Sequence, residues 1–248
     1  YTSAPGDNAV RARIAENIKT RFGVEANMGN IYMTCGAAAS LTVSLKALCN
    51  AGDEVLLLAP FFPEYSVFTA NAGAVGVTVP AAEDFGLNLE GIKNAITEKT
   101  AAIMVNSPNN PTGAVITEDE VIALAKLLGE KSEEIGHPIY LIADEPYREL
   151  CYEGTVPYLP CYYDNTVVCY SYSKSLSLPG ERIGYIFVSP RAKDCRILYA
   201  AVCGAGRALG FVCAPSLLQY TVAELVGKTA DINVYKKNRD LLYDALTS

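Results

Sequence analysis

The chain has 248 residues, half of them hydrophobic and 19% charged, which is enough for one large domain with a sizeable core. Its formal net charge of −7 argues against nucleic acid or an anionic membrane as the main partner, while leaving room for a local basic pocket that holds one phosphate. One histidine, His137, and eight cysteines with no C-x-x-C pair give little basis for a Ser-His-Asp triad, a metal site or a disulfide framework. Thiols inside apolar runs, such as Cys169 and Cys213, read instead as free cysteines of a reducing cytoplasm.

Residues 8–22 predict a helix, because Val10, Ile14, Ile18 and Phe22 recur every four residues and Gly23 stops the run. I-Y-M-T-C is a short β-like run that passes through G-A-A-A-S into a helical stretch reaching Asn50. After the turn at Ala51-Gly52-Asp53, residues 54–58 read as a strand, 63–70 as a helix and 75–79 as a strand. Residues 101–105 form a buried strand that runs into the loop N-S-P-N-N-P-T-G. Thr117 to Glu120 is a capping box opening a helix to about Lys131. Strands follow at 139–143, ending at Asp144, at 167–170, ending at Ser171, and at 183–188. Ser189-Pro190 predicts the start of a further helix, and the remainder reads as mainly helical. No apolar run is long enough to span a bilayer and no signal peptide is visible. The chain opens at Tyr1, without Met, and closes inside a helix-like segment, so both ends read as cut from something longer.

Continuous apolar strands alternating with helices predict a mostly parallel mixed sheet covered on both faces, a three-layer α/β/α fold. In such sheets ligands bind beyond the carboxyl ends of the strands, and the polar clusters of this chain fall there. Taken singly, each has an ordinary structural reading. Lys174 in S-Y-S-K is an amine nucleophile or, more simply, a solvated loop lysine. Asp144 in D-E-P-Y is a site carboxylate or a turn former, and Tyr147 can pack against the sheet. N-N-P-T-G is a rigid hydrogen-bonding loop or a tight connection. G-A-A-A-S opens a helix whose backbone N–H groups can cradle a phosphate, or it is a packing turn.

Together, and in this order, the pieces resemble the fold type I, aspartate-aminotransferase-like enzymes that use pyridoxal 5′-phosphate (PLP). The matching residues are Gly36-Ala37-Ala38, Phe62, Asn110-Pro111-Thr112-Gly113, Asp144 with Tyr147, and Ser171-x-Ser173-Lys174 with Arg182. The resemblance spans nearly the whole chain and implies that residues 1–248 are the PLP-binding large domain, with the family's N-terminal segment and C-terminal small domain missing from it. It also implies individual roles. Lys174 is the Schiff-base lysine and the acid–base group of the reaction. Asp144 pairs with the protonated pyridine nitrogen, Asn110 and Tyr147 hydrogen-bond the ring's phenolic oxygen, and Phe62 stacks on the ring. Ser171, Arg182, Ser173 and the backbone at Gly36, Ala37 and Ala38 hold the phosphate. Tyr1 matches a tyrosine that reaches the phosphate in the neighbouring subunit, or it is an incidental terminal residue.

The implied activity is transfer of an amino group between an amino acid and a 2-oxo acid, in a cytoplasmic homodimer with shared active sites. The same motifs serve C–S lyases, decarboxylases and aminocyclopropane-carboxylate synthases, and an aminotransferase-like sensor domain of a transcription regulator is a further alternative. The arginine that grips the substrate α-carboxylate in this family matches no residue here. Arg207, in G-A-G-R-A-L-G-F, lies where the chain can approach the site or, more simply, is a surface loop arginine.

Overall fold

The computed structural model describes residues 1–248. Seven strands form one sheet in the order β1-β7-β6-β5-β4-β2-β3. They are β1 (Ile31–Thr34), β2 (Glu54–Ala59), β3 (Val75–Pro80), β4 (Thr100–Asn106), β5 (Tyr140–Asp144), β6 (Thr166–Ser171) and β7 (Gly184–Val188). All pairings from β3 across to β6 are parallel, while β7 runs antiparallel to both β6 and β1. The sheet is therefore mixed and mostly parallel. One rim carries the carboxyl ends of β1, β2, β4, β5 and β6 together with the amino end of β7.

The helices are α1 (Asn8–Phe22), α2 (Ala37–Leu48), α3 (Glu64–Asn71), α4 (Leu89–Ala95), α5 (Glu118–Ile135), α6 (Tyr172–Ser175), α7 (Cys195–Ala208), α8 (Ser216–Leu225) and α9 (Ile232–Thr247). Their ends follow local chemistry. Asp7 accepts the N–H groups of Ala9 and Val10 at the start of α1, and Gly23 closes that helix at φ 70. Thr117 and Glu120 form the capping box of α5. That helix continues one turn past the expected end at Lys131, because S-E-E-I still favours helix and the first left-handed stop is Gly136 at φ 82. The expected helix start at Ser189-Pro190 is also corrected. Residues 189–192 form a turn closed by the Ala192 N–H on the Ser189 carbonyl, and Arg191 is drawn aside to Asp164 and the Pro160 carbonyl. The helix begins only at Cys195.

Alternation along the central strands divides the core into two faces. Ile103, Val105, Leu141 and Val168 pack with Ile14 and Ile18 of α1 and Leu124 and Leu128 of α5. Ala102, Met104, Ile142 and Cys169 pack on the other side with Leu41 and Leu45 of α2 and Tyr65 of α3. This parity aims the residue that ends β5, Asp144, at the α2–α3 face. All eight cysteines are free, and no helix is long and apolar enough to cross a membrane.

Candidate active site

A cavity of about 240 Å³ opens at the rim where β1, β2, β4, β5 and β6 end. Its floor is built on β5 and β4. Asp144 is buried at the end of β5, in register with Asn106 of β4 and Cys169 of β6. The Asn106 side chain donates to the Asp144 carbonyl at 2.9 Å and accepts the Asn110 N–H at 2.7 Å. It thereby ties the N-S-P-N-N-P-T-G loop to the end of β5. Oδ2 of Asp144 accepts a hydrogen bond of 2.5 Å from the Tyr65 hydroxyl. Oδ1 is buried with no partner at all. Burial pushes the Asp144 carboxyl up to about 7, the Tyr65 hydrogen bond works against that, and the neighbouring Glu145 charge adds to it.

Tyr147 and Asn110 line the same cavity. Burial and then the Asp144 charge push the Tyr147 phenol up, while a hydrogen bond with the Asn110 side chain lowers it. Lys174, on the short α6, brings its Nζ to 6.0 Å from the Tyr147 ring centroid. Phe62 forms another wall and packs edge-on to Tyr65 with ring centroids 5.9 Å apart.

The opposite end of the cavity is polar. Gly36 caps α2 with φ 86 and no side-chain hydrogen bond, so the first N–H groups of that helix remain available to an anion. Ala37 and Ala38 line the cavity there with Ser171, Ser173 and Arg182. The Ser171 and Ser173 hydroxyls are 2.7 Å apart. The Arg182 guanidinium lies over Gly36, where a Cβ would come within 2.8 Å of Nη2. Gly184 has a related task. A Cβ there would stand 2.3 Å from the Tyr170 carbonyl and 3.2 Å from the Gly36 Cα, so only glycine lets the β1 and β6 ends close around this corner.

Of the residues singled out from sequence, ten line this one cavity and Gly36 adjoins it through Arg182. Tyr1 does not. It is fully exposed, one residue before Thr2, whose carbonyl accepts from the Cys213 thiol. Sequence reasoning passed over Asn106, Tyr65 and Gly184. Asn106 had a signal, since it opens the Asn-rich loop at a strand end. Tyr65 had none, because a tyrosine in the first turn of a helix looks the same whether it packs or donates.

A mixed α/β sheet whose strand ends gather a lysine, a buried carboxylate and an anion seat defines the PLP-binding class of this architecture. The family model "Aminotransferase class I and II" matches residues 1–248, and the chain belongs to that family, whose enzymes use PLP. It is 30% identical to the probable aspartate aminotransferase of Methanocaldococcus jannaschii, covering 99% of this chain and 65% of that protein. It is 31% identical to the arginine–pyruvate transaminase AruH of Pseudomonas aeruginosa, covering 99% and 62%. Among solved structures, an amino transferase from Eubacterium rectale superposes with a TM-score of 0.97 at 55% identity, covering all of this chain and 63% of that one. The aspartate aminotransferase of Thermus thermophilus with maleate gives 0.89 at 28% identity, covering 100% and 64%. The chain thus spans somewhat under two thirds of these relatives' length.

The residues present fit the cofactor. An orphaned carboxylate oxygen awaits a cationic N–H, an uncapped helix start beside Arg182 awaits a phosphate, and Lys174 supplies an amine in the same cavity.

Proposed function

We propose that this protein is a PLP-dependent aminotransferase that moves an amino group between an amino acid and a 2-oxo acid, with Lys174 as the covalent anchor of the cofactor. The observation that carries this reading is the unpartnered Oδ1 of Asp144. A buried carboxylate oxygen without a donor is costly, and it is relieved by a protonated pyridine nitrogen. When bound, PLP supplies an aldehyde that takes up the substrate's amino group and a ring that draws electrons from Cα.

The chain's own residues do the rest. Asp144 holds its charge under the ring nitrogen and keeps that nitrogen protonated. Asn110 and Tyr147 donate to the phenolic oxygen, and Phe62 covers the ring. The α2 N-terminus, Ser171, Ser173 and Arg182 bind the phosphate. Lys174, whose Nζ reaches into this cavity, would hold and move the substrate Cα proton, serving as base and then acid. Residues 1–248 act as the PLP-binding large domain.

The names of the relatives, aspartate and arginine–pyruvate among them, support an amino-acid donor and a 2-oxo-acid acceptor. We also propose a homodimer with shared sites, in which the exposed Tyr1 reaches the partner's phosphate, and a cytoplasmic setting that suits eight free thiols.

Addition of PLP should give a visible absorbance band that borohydride removes while fixing the label on Lys174. A donor and acceptor screen with product analysis then separates transamination from elimination or decarboxylation. A protein that stays colourless, or a label on another lysine, would sink the reading.

A further inference from the structure

Tyr65 closes the segment A-P-F-F-P-E-Y that contains Phe62 and carries none of the roles the resemblance implies, yet it makes the only hydrogen bond to the Asp144 carboxylate. Its side chain is almost completely buried. It lies in the first turn of α3, and its N–H closes a turn on the Phe62 carbonyl at 3.0 Å. Its ring stacks on Phe61 with centroids 6.1 Å apart and meets Phe62 edge-on at 5.9 Å. The residue that walls one side of the cavity and the residue that grips Asp144 are therefore three positions apart on one rigid turn.

We propose that Tyr65 is a positioning residue for the cofactor's ring nitrogen: its hydroxyl occupies Oδ2 of Asp144, so that Oδ1 alone is presented to the cavity, and its ring fixes Phe62 relative to that oxygen. The proposal rests on the reading of this cavity as the PLP seat and adds a residue to it.

A carboxylate has two equivalent oxygens and a broad terminal torsion. Something must decide which oxygen faces the ligand, and Tyr65 is the only donor bonded to either of them. The other groups facing Asp144 do not help. Glu145 follows it on the chain but turns to the other face of the sheet, where Arg148 holds it, Tyr147 lies in the next loop, and the Cys169 thiol on β6 is engaged with Ser44 at 3.4 Å. No cation offsets the carboxylate from the protein side, so a phenol that donates without adding charge leaves the full anion for the ring nitrogen. If Tyr65 were present only for packing, its ring within the cluster of Leu57, Met104 and Ile142 would serve equally well as phenylalanine.

The test uses the full chain with Tyr65→Phe and, separately, 3-fluorotyrosine inserted at position 65, which keeps the shape and makes the phenol a stronger donor. Two readouts are taken. The first is the carboxyl carbon-13 resonance of Asp144 in cofactor-free protein from about pH 4 to about pH 9, identified by its loss in Asp144→Asn. The second is the PLP dissociation constant from fluorescence quenching. Tyr65→Phe should move the Asp144 titration midpoint upward and weaken PLP binding roughly tenfold, the scale of one hydrogen bond to a charged group. The fluorinated residue should move the midpoint downward. If both quantities stay put in folded Tyr65→Phe while the unaltered protein binds PLP, the inference fails and the reading of the site survives. If the unaltered protein binds no PLP, both fall. Should Tyr65→Phe not fold, the direction of the fluorotyrosine shift decides.

Discussion

Two acids stand side by side where β5 ends, and they face opposite sides of the sheet. Asp144 faces α2 and α3, receives one hydrogen bond from a neutral phenol, and keeps one oxygen unpartnered. Glu145 faces α1. There Arg148 engages both its oxygens, one at 2.6 Å, while the same guanidinium donates to the Val156 and Pro157 carbonyls and lies over the Phe22 and Tyr158 rings. Both carboxylates are buried. One is satisfied within the chain and does structural work, holding the segment after Tyr147 against α1. The other is left incomplete, and incompleteness in a buried charge is what marks a ligand site.

The contrast is broken most severely at the amine. Lys174→Ala should abolish transamination and the borohydride-fixed label, yet leave unfolding free energy within about 1 kcal/mol in urea titration, because the side chain is only half-buried and holds no ion pair. On the other face the expectation reverses. Arg148→Ala leaves Glu145 as an uncompensated buried charge and should cost about 3–5 kcal/mol of stability by urea denaturation. What folded protein remains should still take up PLP. A variant that lost cofactor binding without losing stability would show that the two faces are not separable.

The difference between these faces also shows what a sequence can and cannot carry. The sheet was legible because β4, β5 and β6 are continuous apolar runs whose polar residues begin at one end, so that Asn106, Asp144 and Ser171 gather at one rim. The turn at Ser189-Pro190 was not legible, since Arg191 reaches across to Asp164 and the Pro160 carbonyl, contacts that local propensity does not encode. Helix α4, L-E-G-I-K-N-A, was passed over because it is short and contains Gly91, and its start depends on Asn88 capping the Gly91 N–H. At the site, motif residues sit at strand ends where topology alone collects them. Tyr65 and Arg148 act through the way α3 and the post-β5 loop fold back, and neither local pattern nor spacing specifies that approach.

The pH dependence of the cofactor-free protein sharpens the comparison further. Asp144 has its folded-state value raised from 3.8 to about 7, chiefly by burial. A carboxyl that holds its proton more tightly when folded favours the folded state at low pH, and that contribution is lost as pH rises from about 4 toward 7. The loss from this group should reach a few kcal/mol. Asp144→Asn should flatten that part of the stability–pH curve and raise stability near neutrality, while weakening PLP binding. PLP itself should do the same to the unaltered protein, since a cationic ring nitrogen restores the ionised carboxylate. An Asp144→Asn curve parallel to that of the parent would mean the strain lies elsewhere.

The smallest change tests the far end of the cavity. Gly36→Ala places a Cβ 2.8 Å from the Arg182 Nη2 and 3.1 Å from its Cζ, at a residue with φ 86. The backbone term should cost about 1–2 kcal/mol in urea unfolding. The guanidinium is the flexible end of a long side chain, so it should swing away from the α2 N-terminus rather than disturb the sheet. Phosphate binding should suffer and the ring end should not. Comparing PLP with pyridoxal, which lacks the phosphate, separates the two: Gly36→Ala should weaken PLP several-fold and leave pyridoxal unchanged, whereas Asp144→Asn should weaken both. Equal losses for the two ligands in Gly36→Ala would mean that α2 and Arg182 shape the whole cavity rather than seat one group of the cofactor.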